Sequence, residues 1–394
     1  MPLPDRPMRV TMVNKYYWPP HLGGVETVVR NLSEGLVAQT GASVRAIVCN
    51  EGRERVEDNI EGVEVVRLSR QFALSSAPIA LSMPGALRAE ANRPSPPDII
   101  NLHFPYPWGE LSWLQAHPDI PMVLSYHSDI VRQKRMLAAY RPFLEAALDR
   151  ADVITTSSPN LRDGSPFLST RANKVRIVDY GLHVDDIAEP SASVLARAEK
   201  IRAEHAGRKI VLFVGRLVYY KGADVLVRAM ANVDADVIFV GRGPLESELR
   251  EIAAANGVAS RTTWVAPTGD DELHAYYHAA DVFALPSVAN SEAFGLVQIE
   301  AHAAGTPAVS TNLPTSVPYA NLDGVTGIMV PVGDVAALAE ALNRLLADDE
   351  LRARLGAQAR ERALTTFTIP RMVEQMLDVY AEAIDVHAAK RGRS

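Results

Sequence analysis

The sequence predicts an α/β protein built from two doubly wound parallel sheets. Short apolar runs rich in β-branched residues alternate with longer amphipathic runs from end to end, the pattern of buried strands covered by helices. The strand candidates fall into two sets, each sufficient for one open sheet. The length, 394 residues, suits two domains of roughly 150–200 residues, each with its own core.

The first set begins at residues 10–13, followed by a helical run from Thr27 through Leu36. Strand candidates follow at 44–49, 63–68, 99–102, 122–126, 153–156 and 175–178. The join falls within 181–190, and 191–205 is a helix opening the second domain. The second set comprises 210–214, 237–240, 262–265, 282–285 and 308–310. Residues 370–389 are helical by the spacing of Met372, Met376, Val379 and Ile384, and this helix is a candidate to pack back on the first domain. The expected division is therefore 1–185, with 370–389 returning to it, and 186–369.

Net charge is −7, which gives no global electrostatic case for nucleic acid. The single cysteine, Cys49, excludes an internal disulfide and every cysteine-based metal cluster. It lies in an apolar run, where an inert core thiol is expected. The first residues carry no apolar stretch of signal-peptide length, and no run approaches the roughly 20 apolar residues of a membrane span. A cytoplasmic protein is expected, with peripheral attachment to the inner face of the cell membrane as an option. No Walker A loop or G-x-S-x-G elbow is present.

Open α/β sheets bind ligands beyond the carboxyl ends of their strands, so the residues after those ends are the candidates. Gly23-Gly24 precedes the first long helix, where glycine lets the backbone approach a phosphate. Gly215-Arg216-Leu-Val-Tyr-Tyr-Lys221-Gly222 follows 210–214. Arg supplies planar paired donors and Lys a point charge, and the two suit a diphosphate and the charge it gains on leaving. His103 and His127 end neighbouring strand candidates, and neither belongs to a metal-ligand set. Glu292 and Glu300 flank Phe294-Gly295-Leu296 at the start of a helix expected near Gly295. Helical rise puts them on the order of 10 Å apart, too far for a glycosidase pair at roughly 5–9 Å. Two grips on one long ligand, or a solvated helix start, both fit that spacing.

A basic, apolar stretch at 130–145 includes Arg132, Lys134, Arg135 and Arg141 with Met136, Leu137 and Phe143. It is an interfacial helix suited to anionic lipid or an ordinary half-buried helix. The neighbouring apolar segment 72–83 is a flap or a buried loop.

Taken in order, these residues resemble the retaining glycosyltransferases of family four, over essentially the whole chain. Gly23-Gly24 is similar to the family's first glycine loop, Arg216 and Lys221 to its diphosphate clamp, and Glu292…Glu300 to its E-x7-E signature. The run Ala304-Gly-Thr-Pro-Ala-Val309 continues that pattern. The resemblance implies the GT-B fold: two Rossmann-like doubly wound parallel-sheet domains facing across a cleft. It implies an N-terminal acceptor-binding domain and a C-terminal donor domain.

By this resemblance Glu300 bonds the ribose hydroxyls and Glu292 the transferred sugar. Backbone amides of Phe294, Gly295 and Leu296 orient that sugar, and Val265 with its neighbours lies against the base. His127, Arg216, Lys221 and Glu292 form the implied catalytic set. Tyr17, His103 and Arg132 are acceptor candidates. The wording of residues 126–133 is most similar to bacterial polysaccharide enzymes, many of them α-mannosyltransferases using GDP-mannose.

Asn312-Leu-Pro-Thr-Ser-Val-Pro-Tyr-Ala-Asn321 departs from the family, many of whose members carry a glycine pair and a glutamate there. The expected activity is hexosyl transfer, best matched by mannosyl from GDP-mannose, to a saccharide or lipid-linked saccharide acceptor in surface polysaccharide or glycolipid synthesis. No cofactor or metal is expected, because two cations stand where a divalent ion would. The alternatives are a UDP-sugar transferase with a small soluble acceptor, a sugar-nucleotide epimerase or hydrolase of the same architecture, and a silent nucleotide-binding module.

Overall fold

The computed structural model describes residues 6–20, 23–74, 77–130 and 134–392, with only the backbone at 74 and 134–137. The chain divides into two compact units, Met1–Leu182 with Ile369–Ser394, and His183–Thr368.

The first unit begins with β1 (Arg9–Val13), α1 (Gly24–Thr40), β2 (Ser43–Cys49), β3 (Val56–Ile60) and β4 (Val63–Leu68). Then come β5 (Phe72–Leu74), β6 (Ala77–Ile79), α2 (Met83–Ala91), β7 (Ile99–Phe104), α3 (Pro107–Ala116) and β8 (Met122–Tyr126). It continues with α4 (Lys134–Arg150), β9 (Val153–Thr156), α5 (Pro159–Gly164) and β10 (Val175–Ile177). Eight strands form one sheet in the order β10-β9-β8-β7-β1-β2-β4-β3. Every pairing is parallel except β3 with β4. The order reverses between β1 and β7, the position where such sheets take ligands.

The second unit contains α6 (Val184–Ala188), α7 (Ala192–Glu204), β11 (Ile210–Val214), α8 (Ala223–Ala229), β12 (Asp236–Val240) and α9 (Glu246–Ala255). Next are β13 (Thr262–Val265), α10 (Asp270–Ala279), β14 (Val282–Leu285), α11 (Leu296–Ala303) and β15 (Ala308–Thr311). It ends with α12 (Val317–Ala320), β16 (Gly327–Val330), α13 (Val335–Ala347) and α14 (Asp349–Thr366). Its six strands are all parallel, in the order β13-β12-β11-β14-β15-β16, with the reversal between β11 and β14. Apolar layers cover both faces. Phe213 and Phe239 belong to one core, and Tyr277 and Phe283 to the other.

The last helix, α15 (Ile369–Arg391), belongs to the first unit and packs on α1. Met372, Met376, Val379 and Tyr380 are buried along its inner stripe; each such side chain contributes about 1.5–3 kcal/mol. Tyr380 donates a hydrogen bond to Asn101 Oδ1 at 2.8 Å, and Lys390 pairs with Asp152 at 2.7 Å. Cys49 is a free, buried thiol whose pKa burial pushes up to about 11. Among the described residues no helix is long and apolar enough to cross a membrane.

Candidate active site

In the second unit the loops after β11 and β14 meet at the sheet's reversal point. Gly222, which caps the loop after β11, has φ of 65°. A Cβ there would lie 1.9 Å from the carbonyl oxygen of Pro286, so only glycine allows the two loops to close. The backbone amide of Val288 then donates to Tyr220 O at 2.8 Å. This contact sets Lys221 Nζ 2.5 Å from Glu292 Oε2, with side chains 12% and 8% exposed. The Ser287 hydroxyl donates to the same carboxylate oxygen at 3.2 Å. Arg216 is exposed on the same loop and makes no ion pair among the described residues. A half-sequestered Lys–Glu pair beside an uncommitted guanidinium can take a dianion on its cationic side and hydroxyls on its carboxylate.

Gly295 is the N-cap of α11 with φ of 75°, as the sequence predicted for a helix starting there. The loop before it is held from inside. Gln298 donates to Phe294 O at 2.7 Å and accepts from the Ser310 hydroxyl at 2.8 Å. The Phe294 ring packs edge-on against Phe367, with centroids 5.8 Å apart, and is turned into the protein. Leu296 begins α11, whose first-turn N–H groups point out past Gly295. The unusual segment 312–321 forms α12 and supports this loop, with Ser316 N donating to Ala293 O at 2.8 Å.

Glu300 sits one turn further along α11, half-buried. The Tyr277 hydroxyl donates to its Oε2 at 2.5 Å. Burial raises the Glu300 pKa, opposed by that hydrogen bond. Tyr277 itself is fully buried, and nothing in the spacing of α10 distinguishes it from a core tyrosine. Val265 ends the edge strand β13 half-buried, while the neighbouring Trp264 ring is spent on packing, stacked 4.6 Å from Phe239 and covered by Arg250.

The first unit's reversal point combines two buried, neutral histidines with Lys15 after β1 and Glu26 in α1. Gly23 caps α1 in extended conformation, and a Cβ on it would meet the Glu26 carboxylate at 2.5 Å. The chain's own carboxylate therefore lies over the Gly23-Gly24 turn where an anion was expected. His103 lies within β7 rather than after it, because the strand runs on to Phe104 in register with β8. It is 1% exposed, and its Nδ1 lies 2.9 Å from His127 Nε2. His127 Nδ1 lies 2.6 Å from the Tyr180 hydroxyl. Burial pushes the His127 pKa down to about 3 and lowers that of His103 too, the latter assisted by His127.

Two of the acceptor candidates are buried. His103 is a buried partner of His127, not a surface contact. Tyr17, on the loop after β1, is 1% exposed. Arg132 lies outside the described residues. His127 is brought to the reversal point, but both ring nitrogens are committed inside the protein. Tyr180, its second partner, carried no signal in the sequence because it belongs to no strand-end motif.

Comparison with known proteins matches residues 22–186 to the model "Glycosyltransferase Family 4" and residues 196–362 to "Glycosyl transferases group 1". The O-antigen chain mannosyltransferase C of Escherichia coli is 32% identical over 96% of this chain and 99% of its own. The D-rhamnosyltransferase WbpZ of Pseudomonas aeruginosa is 32% identical over 92% of each. Among solved structures, the sucrose-phosphate synthase of Thermosynechococcus elongatus superposes with a TM-score of 0.79 at 25% identity, covering 95% of this chain and 98% of that one. The two parallel-sheet units are those of the GT-B fold. With both domain models matched in order and a full-length relative at 32% identity, the chain belongs to the glycosyltransferases that join a family 4 domain to a group 1 domain.

Proposed function

We propose that the enzyme transfers a mannosyl group from GDP-mannose to a saccharide or lipid-linked saccharide during surface polysaccharide synthesis, with retention and without a metal ion. The observation that carries the chemistry is the Lys221–Glu292 pair at the reversal point of the second sheet. The O-antigen mannosyltransferase relative supports the choice of sugar and pathway class.

Arg216 and Lys221 take the diphosphate, Glu292 the sugar hydroxyls and Glu300 the ribose. The acceptor hydroxyl attacks the anomeric carbon on the face the diphosphate leaves, and the bond from that carbon to the phosphate oxygen breaks. Lys221 and Arg216 neutralise the charge gathering on the departing phosphate, which takes up the acceptor's proton. No carboxylate nucleophile is needed.

A thermal-shift panel of GDP, UDP and ADP with their sugars tests the donor, since a ligand of the folded state stabilises it by mass action. GDP and GDP-mannose are expected to raise Tm most, and a preference for UDP would overturn the donor assignment. Transfer is expected to survive EDTA and to give a product with the donor's anomeric configuration. The rhamnosyltransferase relative favours a second reading, transfer of D-rhamnose, which is mannose lacking the 6-hydroxyl. Competition between the two donors in one assay separates them. A lipid-linked acceptor predicts flotation with anionic liposomes; none with or without anionic lipid would point to a soluble acceptor.

A further inference from the structure

We propose that Tyr277 is a positioning residue that fixes which oxygen of Glu300 faces the nucleotide, and thereby sets the preference for ribose over 2′-deoxyribose. The inference rests on the reading of Glu300 as the ribose-binding carboxylate.

An ionised carboxylate only accepts hydrogen bonds, so the 2.5 Å contact is a donation from the Tyr277 hydroxyl to Glu300 Oε2. Such charge-assisted O–H···O⁻ bonds are the short, strong ones. Tyr277 cannot follow a moving partner. Its ring is fully buried, 6.1 Å from the Phe283 centroid, and its carbonyl accepts from the Thr306 hydroxyl at 2.9 Å.

The two helices α10 and α11 thus hold one end of the carboxylate. Oε1 has no hydrogen-bond partner among the described residues, and Glu300 keeps some exposure, so Oε1 is the oxygen left for a ligand. A ribose presents neighbouring 2′- and 3′-hydroxyl donors, whereas 2′-deoxyribose presents one. A carboxylate pinned at Oε2 offers Oε1 in a single orientation and reads that difference. A carboxylate free to turn adapts to either sugar and pays rotamer entropy on binding.

The test measures Kd for GDP and UDP and for their 2′-deoxy forms with the full-length protein. Tyr277→Phe removes one oxygen and keeps the ring, and its Tm without ligand checks folding. The variant is expected to bind the ribonucleotides about fivefold more weakly, because the released carboxylate gives up rotamer freedom on binding, and to narrow the ribo-to-deoxy ratio at least about threefold. Its kcat at saturating donor is expected to stay within about threefold of the parent, because Tyr277 touches no reacting atom. An unchanged ribo-to-deoxy ratio in Tyr277→Phe overturns the inference while leaving Glu300 as ribose ligand.

Glu300→Gln is expected to abolish the ratio, because the Tyr277 hydroxyl selects the amide oxygen and turns the –NH2 outward. A ratio preserved in Glu300→Gln would remove the ribose reading and the inference with it. A crystal structure of the parent enzyme with a nucleoside diphosphate gives a measurement independent of any variant. Oε1 alone is expected within hydrogen-bond distance of the ribose, and contact through Oε2 would overturn the proposal.

Discussion

Replacing Lys221 with methionine is expected to damage the second unit before any substrate is added. The side chains of Lys221 and Glu292 are only 12% and 8% exposed, at 2.5 Å. Without the ammonium, the Glu292 carboxylate keeps one short-range donor among the described residues, the Ser287 hydroxyl at 3.2 Å. Breaking a buried pair from one side costs about 3 kcal/mol, since the remaining charge loses its partner but not its desolvation. Glu292→Gln strands the ammonium instead and is expected to cost about 2 kcal/mol, less because a long lysine can swing to water. The double variant carries neither charge and should cost about 2 kcal/mol rather than the additive sum of about 5 kcal/mol, leaving a coupling of about 3 kcal/mol.

Native-state hydrogen exchange of amides in β11 and α11 is the suitable assay, because it reports the opening of this unit by itself. Free energies additive within about 0.5 kcal/mol would refute the claim that the pair exists in solution. The same Lys221→Met variant should lose about a thousandfold in kcat/KM. If saturating donor restored the parental kcat, the loss would belong to ground-state binding and the stabilisation of the leaving diphosphate would be refuted.

Gly222→Ala forces a Cβ to within 1.9 Å of the Pro286 carbonyl oxygen at a φ of 65°. It should cost at least about 2 kcal/mol and raise the donor KM by displacing Lys221; a parental Tm and KM would contradict the loop packing. Burial pushes the pKa of His302 down to about 3, as it does that of His127. The unfolded chain binds these protons near pH 6.5 while the folded chain refuses them. Stability from each group is therefore full above pH ~6.5 and falls by about 1.4 kcal/mol per pH unit toward pH 3. His302→Leu should flatten the urea-measured acid slope between pH ~6 and ~4 by that amount, and an unchanged slope would show that His302 titrates in the fold. In the first unit, His103 Nε2 and Thr156 Oγ1 are buried without hydrogen-bond partners among the described residues and line one cavity of about 20 Å³. That is room for one water, so a high-resolution crystal structure should show density bridging the two atoms, and featureless density would refute it.

Strands buried on both faces were legible because burial leaves an unbroken apolar run. The runs at 122–126, 153–156, 210–214 and 282–285 coincide with β8, β9, β11 and β14. β3 was not legible. Val-Glu-Asp-Asn-Ile is an exposed edge whose conformation comes from pairing with β4, not from its own pattern. The position of His103 was misread for a related reason: a polar residue inside a strand looks like the strand's end, yet here the ladder continues through Phe104 and supplies His127 as its partner. Lys221 and Glu292 were legible as separate loop residues, but their pairing depends on Gly222 meeting Pro286, a contact across 64 residues of sequence. Tyr277 and Tyr180 were invisible because their roles come from what faces them, and single-chain spacing carries no such information.

The two reversal points are alike in topology and opposite in electrostatics, and the difference follows from what each can bind. At β11 and β14 an exposed guanidinium and the partly exposed Glu300 carboxylate stand beside the largely buried Lys221–Glu292 pair. Such groups tolerate charge only where a ligand or water completes their solvation, which suits a dianion flanked by hydroxyls. Around β1 and β7 the buried polar groups include His103, His127 and Tyr180, with the histidines held neutral, and Lys15 and Glu26 lie on the loop and helix that follow β1. The chain needs one shared proton between His103 and His127 and another between His127 and Tyr180, so no net charge has to be buried. Neutral histidines exert no long-range pull on an anion, and the Glu26 carboxylate over Gly23 opposes one, offset in part by the nearby Lys15. The concentration of cations and carboxylates in the second unit favours it for the donor's charged part, in keeping with the proposed reading.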